Sequence, residues 1–382
     1  MLEERVIPLP TPIRSDKHRT AKGGLSLHQR EAAYALGWEH GYWYGQCEAL
    51  IQSIPQSVQI RPIHVLFVAT GKGFPYSPLD EAVAETLRMF AVRVSIVSAK
   101  QPVAEIAARL RPDVVIVLDG LEFQTTEVDA IRREGIRIVV WFTDDPYYTD
   151  ITSRLAPHYD HVFTLERMCV PFYQGLGCQN VHHLPLGVYP TVFRPGNPPR
   201  NARREISFVG SAYWTRVGFF DQITDYLNTK DTLITGIWWE RLRDYTRLSP
   251  KITSRWMEPG ETAANYNGAK IVINMHRAHD DESFNNNSLA INAVSPNPRT
   301  FEISACATLQ LTDIRMDLPQ YYLPDVEIVT YSSPQEMIEK IEYYLAHEQE
   351  RRLIALRGLY RTLREHTYAK RVETMMAILF GV

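Results

Sequence analysis

The run Asn297-Pro298-Arg299-Thr300-Phe301-Glu302-Ile303-Ser304-Ala305-Cys306 holds an arginine and a carboxylate three residues apart. Pro298 suits the first turn of a helix. Glu302 then sits near the helix start, with Arg299 one turn earlier on nearly the same face. A carboxylate there can accept both hydroxyls of a ribose, and a guanidinium can clamp a diphosphate. The same spacing also suits a helix-capping salt bridge, and the residues by themselves leave both readings open.

Other groups stand where chemistry is possible. Asp144 and Asp145 end an apolar run, Arg137–Phe142. Either suits a general base, and Asp145 equally suits the cap of a turn begun by Pro146. His276 follows the apolar run Ile271–Asn274, with Asp280-Asp281-Glu282 behind it. A lone histidine at a strand end serves structure as readily as catalysis. Gly210-Ser211 opens a loop whose backbone donors suit a phosphate, with Arg216 nearby and Lys270 as a further cation. Thr70-Gly71-Lys72-Gly73 breaks another apolar run, either to admit a substrate closely or simply to turn. It is neither a full G-x-G-x-x-G nor a G-x-x-x-x-G-K-[ST], so dinucleotide-dehydrogenase and P-loop readings lose support.

These groups are placed by an alternating pattern. Apolar runs at 63–69, 92–97, 114–118, 137–142, 161–164 and 181–184 read as strands, with helices at 79–90, 103–110 and 125–134 between them. Continuous apolar strands alternating with helices predict a parallel sheet covered on both faces. Phe193-Arg194-Pro195-Gly196-Asn197-Pro198-Pro199-Arg200 then reads as a linker. Ile206-Ser207-Phe208-Val209-Gly210-Ser211 echoes Val65-Leu66-Phe67-Val68-Ala69-Thr70, and the order restarts. Strands are expected at 232–236, 271–274, 308–311 and 326–330, and helices at 215–227, 334–347, 349–365 and 369–381. The fold class is α/β, with two Rossmann-like doubly wound units facing a cleft. Ligands of such sheets bind beyond the carboxyl ends of the strands, where the strand order reverses.

The expected organisation is a tail and helical extension over 1–55, an acceptor domain over 56–198, a donor domain over 199–350, and C-terminal helices over 351–382 that cross back to the first domain. Gly37, Gly41 and Gly45 fall on one face of the extension, suiting close backbone approach or a glycine-weakened helix packed on the first domain. The Asn-rich run 283–297 reads as a mobile loop over the cleft or an ordinary surface loop.

Bulk properties narrow the class. The 382 residues, 45% hydrophobic and 22% charged, suit two globular domains. A net charge of -3 gives no reason to expect nucleic acid or an anionic membrane as partner. The four cysteines show no metal-type spacing, and no apolar stretch reads as a signal peptide or membrane span. A cytoplasmic protein is expected.

Several patches resemble the CgeB-like spore-maturation proteins, within the group 1 glycosyltransferases of GT-B fold. They are Trp141–Tyr147, Leu184–Val188 with Phe193-Arg194-Pro195, Ile206–Gly210, Tyr266–Asn274, Arg299–Cys306 and His366-Thr367-Tyr368. The resemblance spans about 140 to 370. It implies a GT-B glycosyltransferase whose second domain holds a nucleotide-sugar donor, by family default a UDP-sugar, with a protein or glycan as acceptor and no cofactor or catalytic metal. It places Glu302 on the ribose and Arg299 near the diphosphate, with Arg216 and Lys270 as further cations. Asn297, Thr300 and Phe301 of the same motif and Asn274 at its strand end complete the candidate donor set. Many group 1 enzymes carry a second Glu eight positions before the ribose Glu; here that position is Val294. Ala307 stands where a Gly is common. Two other classes compete: a metal-dependent GT-A enzyme, with Asp144-Asp145 or Asp280-Asp281-Glu282 as ligands, and a non-catalytic nucleotide-sugar-binding module. An NAD(P)-binding enzyme is more distant, since no fingerprint is complete.

Overall fold

The computed structural model describes residues 26–55, 58–282 and 284–381. The first 25 residues of the predicted 1–55 tail and extension lie outside them. The chain divides into a unit ending at Gln46 and a compact unit from Cys47 to Val382. Helix α1 (Leu27–Ser53) begins in the first unit. Trp38 and Tyr42 stack on it at 5.3 Å. Beyond the helix itself, no described atom lies within 4 Å of a Cβ built on Gly37, Gly41 or Gly45.

The second unit holds two six-stranded parallel sheets. The first comprises β1 (Arg61–Ala69), β2 (Ala91–Ser98), β3 (Val114–Leu118), β4 (Ile138–Phe142), β5 (His161–Thr164) and β6 (Val181–His183), in the order β2-β1-β3-β4-β5-β6. Its helices are α2 (Ser77–Phe90), α3 (Val103–Leu110), α4 (Thr125–Arg133), α5 (Thr149–Leu155) and α6 (Cys169–Gly175). Every residue of β3 and β4 is buried. That explains their unbroken apolar sequences: both sheet faces are covered.

The second sheet comprises β7 (Arg204–Val209), β8 (Thr232–Thr235), β9 (Ile252–Thr253), β10 (Ala269–Asn274), β11 (Leu309–Asp313) and β12 (Val329–Tyr331), in the order β12-β11-β10-β7-β8-β9. Helices α7 (Trp214–Asn228), α8 (Tyr245–Leu248), α9 (Pro259–Gly268), α10 (Pro298–Ala305), α11 (Pro334–Ala346), α12 (Glu348–Glu365) and α13 (Tyr368–Phe380) follow. The order reverses between β1 and β3 in one sheet and between β7 and β10 in the other. The loops leaving those strands are therefore where a ligand belongs.

The return to the first sheet is narrower than the sequence suggests. Helix α12 packs on α10 and β11, and only α13 packs on α2. Tyr368, Val372, Met375, Met376 and Leu379 carry α13 into the first core, whereas Ile354 of α12 sits in the second. The crossing falls at His366–Tyr368, where Val188 donates to the His366 carbonyl and Tyr368 donates to the Val188 carbonyl, both at 2.9 Å. Short β9 and helices α5, α6, α8 and α9 have no counterpart in the sequence reading. They are brief or carry little apolar periodicity.

Candidate active site

A cavity of about 540 Å³ opens between the carboxyl ends of the two sheets, within the size range of ligand sites. A larger depression of about 850 Å³ lies at the amino ends of β3, β4 and β5. Its charges already pair with each other, Arg111 with Glu134 and Arg132 with Asp160, and it lies at the wrong end of a parallel sheet.

Helix α10 brings the sharpest sequence motif to the cleft. Asn297 caps it, its side chain accepting from the Thr300 N–H at 3.0 Å. Asn274 donates to Gln310 Oε1 at 2.7 Å and to Thr300 Oγ1 at 3.1 Å, and Asn297 donates to Asn274 Oδ1 at 2.9 Å. Asn274 and Thr300 are thus buried supports behind the wall, and Phe301 belongs to the core. Arg299 and Glu302 both line the cavity. No direct ion pair joins them among the described residues, so the helix-capping salt bridge is not formed. Burial pushes the Glu302 carboxyl up to about 7, against the pull of Arg299.

The loop after β7 supplies a second wall. Gly210 and Ser211 line the cavity as the strand pattern predicts. Arg216 is buried and donates to the Ser211 carbonyl at 2.8 Å and the Met275 carbonyl at 2.5 Å. It therefore ties the two loops of the switch point together. Burial and the neighbouring Arg299 draw its pKa down to about 10, so it stays cationic. Lys270 lies at the amino end of β10, exposed, and does not line the cavity. That placement corrects its candidacy: a parallel strand carries its amino-end residues away from the ligand face. Gly71 and Gly73, both with φ near +70°, also stay off the cavity wall. Pro75, Tyr76 and Leu79 line it instead.

Asp144 and Asp145 both line the cavity, and they differ in how their oxygens are engaged. Asp145 is 2% exposed. It accepts Thr164 Oγ1 at 2.6 Å and Tyr173 Oη at 2.8 and 2.9 Å. It is a satisfied core carboxyl, pushed by burial to about 7, and its oxygens are taken. Asp144 lines the cavity with Oδ2 buried and unpartnered. Burial and the nearby Asp119 carboxylate raise its pKa to about 6. Asp119, held in the left-handed region at φ 66°, is fixed by Lys72 Nζ at 2.7 Å and by Thr143 Oγ1 at 3.0 Å.

His276 also faces the cavity, its ring joined through Nδ1 to Asp313. The other acidic residues behind it are engaged elsewhere. Asp281 accepts the Thr215 N–H at 2.7 Å, and Glu282 pairs with Arg241 at 2.5 Å. The Asn-rich segment is tied down, not free. Asp150 donates from its backbone to the Asn286 carbonyl, Asn286 to the Tyr147 carbonyl, and Ser288 Oγ to Asp150, at 2.8, 2.8 and 2.7 Å. Ser283, at its start, lies outside the described residues.

Residues absent from the sequence reading complete the site. Arg277 lies over the rings of Tyr147, Tyr213 and Phe284 at 4.2, 4.6 and 5.2 Å, with Nε and Nη2 buried and unpartnered. Arg315 donates to the Arg277 carbonyl at 2.9 Å. Glu166 accepts from the Val294 and Ser295 backbones, both at 3.0 Å. Each follows the end of a parallel strand, β10, β11 or β5, so applying the carboxyl-end rule to every strand would have found them.

Comparison with known proteins agrees with this fold. The chain is 29% identical over 319 residues to spore protein CgeB of Bacillus subtilis (strain 168), covering 82% of this chain and 98% of that protein. A family model described as glycosyl transferase-like matches residues 216–377. The chain is thus similar to CgeB over most of its length, and its second half is similar to glycosyl transferases. HepE of Anabaena, solved with UDP and glucose, shares the fold at a TM-score of 0.58 and 9% identity, over 84% of this chain and 100% of that one. Sucrose-phosphate synthase of Thermosynechococcus elongatus does so at 0.58 and 11%, over 84% and 99%. A Listeria monocytogenes protein named as a UDP-N-acetylglucosamine 2-epimerase follows at 0.52 and 9%, over 83% and 96%. At such identities the likeness is one of fold, here the two-sheet GT-B architecture. Among the described residues no helix is long and apolar enough to cross a membrane.

Proposed function

We propose that this CgeB-like chain transfers a sugar from a nucleoside diphosphate donor, by preference a UDP-sugar, to a hydroxyl of a protein or glycan, without a catalytic metal. The observation that carries the reading is Arg299 and Glu302 on one wall of the cleft, each exposed to the cavity and not paired with the other. Glu302 accepts the ribose hydroxyls. Arg299 meets the diphosphate, joined by the guanidinium of Arg277, whose buried donors have no other partner. These cations offset the charge that develops on the leaving diphosphate as the anomeric C–O bond breaks.

Asp144, on the opposite wall, takes the proton of the attacking acceptor hydroxyl. Its free oxygen and raised pKa suit that role better than Asp145, whose oxygens already accept from Thr164 and Tyr173. Incubating the protein with UDP-, dTDP- and GDP-sugars, with and without chelator, tests the reading. Nucleoside diphosphate should be released, and chelator should not stop it. Binding without release would mark a non-catalytic sugar-nucleotide module. Release that chelator abolishes would point to metal-dependent chemistry.

A further inference from the structure

His276 leaves the second sheet at the end of β10, beside the switch point. Its Nδ1 lies 2.5 Å from Asp313 Oδ1, the same oxygen that accepts the His276 backbone N–H at 3.0 Å. Asp313 therefore holds both the main chain and the ring in place. A carboxylate at Nδ1 accepts, so Nδ1 carries the ring proton. The other nitrogen, Nε2, is buried without a partner, on a side chain only 4% exposed that lines the cavity. In this tautomer Nε2 is an acceptor alone. Burial, with the Arg315 and Arg216 guanidinia nearby, lowers the imidazole pKa, against the pull of Asp313.

An acceptor cannot serve the diphosphate diester of a sugar nucleotide, which has no proton to give at neutral pH. It requires a donor, and sugar hydroxyls are the donors a glycosyl nucleotide brings. We infer that His276 Nε2 accepts a hydrogen bond from one hydroxyl of the transferred sugar, with Asp313 as the residue that positions it. This rests on the donor reading above and deepens it, naming the group that distinguishes the sugar from its bare diphosphate. Val294, apolar and buried, offers no such acceptor.

The test is calorimetric titration of the full chain with UDP, UDP-glucose and the UDP-glucoses lacking one hydroxyl each, and with GDP and GDP-mannose as a second pair. His276→Phe, which keeps a ring of similar size, should weaken sugar-nucleotide binding about tenfold and leave the bare diphosphate within about twofold. One deoxy sugar should show the same loss in wild type and no further loss in His276→Phe. His276→Gln, whose amide oxygen can accept, should recover part of the affinity. Nitrogen NMR of the wild-type ring should find the proton on Nδ1.

Equal losses for diphosphate and sugar nucleotide would overturn the inference. So would deoxy effects that all add to the substitution, or a proton on Nε2. The last is read on wild type and needs no folded variant. Wild type that binds UDP or GDP but neither sugar form overturns this inference alone. Wild type that binds none of them, nor dTDP or dTDP-glucose, overturns the donor reading and this inference together.

Discussion

Glu166 Oε2 accepts the backbone N–H of Val294 at 3.0 Å, carrying a first-sheet carboxylate onto a loop of the second half. The same oxygen accepts Ser295 N–H at 3.0 Å, and Oε1 accepts Met168 N–H at 3.0 Å. Glu166 is 1% exposed. Position 294 is where the resemblance implies a Glu side chain. Here a carboxylate reaches that backbone from across the cleft, and it acts as a strut.

Removing that charge should loosen the strut. Charge-assisted hydrogen bonds contribute roughly 1.5–3 kcal/mol each. In Glu166→Gln the amides of Val294 and Ser295 should exchange with deuterium at least about tenfold faster. Amides of the buried strand β10 should be unaffected. Unchanged exchange at 294 and 295 would show that the loop is held by other contacts.

Asp144 must be ionised to take a proton, and its pKa is raised to about 6. The transfer rate should therefore fall as pH drops below about 6 and level off above it. Asp144→Asn should cost about 10²–10⁴-fold in kcat, whereas Asp145→Asn should act through stability. A wild-type rate flat from pH 5 to 8 would remove Asp144 as the base.

Glu302 gives a stability signature. Its folded pKa of about 7 lies above its ordinary 4.5. The folded state thus holds the proton more tightly, and stability is lost as pH rises from about 4.5 to 7. Glu302→Gln cannot ionise and escapes that loss. Its melting temperature relative to wild type should climb across this window in ligand-free protein. A constant difference would mean the carboxyl is well solvated.

Gly236 follows β8 at φ 147°, and a Cβ there would stand 2.0 Å from the Gly210 carbonyl oxygen. Gly236→Ala should cost about 2–4 kcal/mol through strain and displacement. It should also weaken donor binding, because Gly210 lines the cleft. Denaturant unfolding and titration together check both effects.

Much of this fold was legible in the sequence because β3 and β4 are apolar on both faces, so runs such as Val114–Leu118 announce a covered parallel sheet. The repeat of the Val65–Thr70 pattern at Ile206–Ser211 disclosed the second sheet. The placement of Arg299 and Glu302 on a helix at the cavity was legible because Pro298 marks a helix start. Lys270 was misplaced because its charge was read without its position along the strand. Arg277 and Glu166 were missed because their roles depend on partners far away in sequence: the rings of Tyr147 and Tyr213, and the backbone of Val294. The distinction between Asp144 and Asp145 came from Thr164 and Tyr173, which no local pattern links to either.

The most direct test is calorimetric titration of wild type, Arg299→Ala and Glu302→Ala with the best-binding nucleoside diphosphate of the UDP, dTDP and GDP series. Each substitution removes a charged hydrogen-bonding group at roughly 1.5–3 kcal/mol, so affinity should fall about 10- to 150-fold in both. Wild-type affinity retained by both variants would contradict the assignment of the second half as the nucleotide grip.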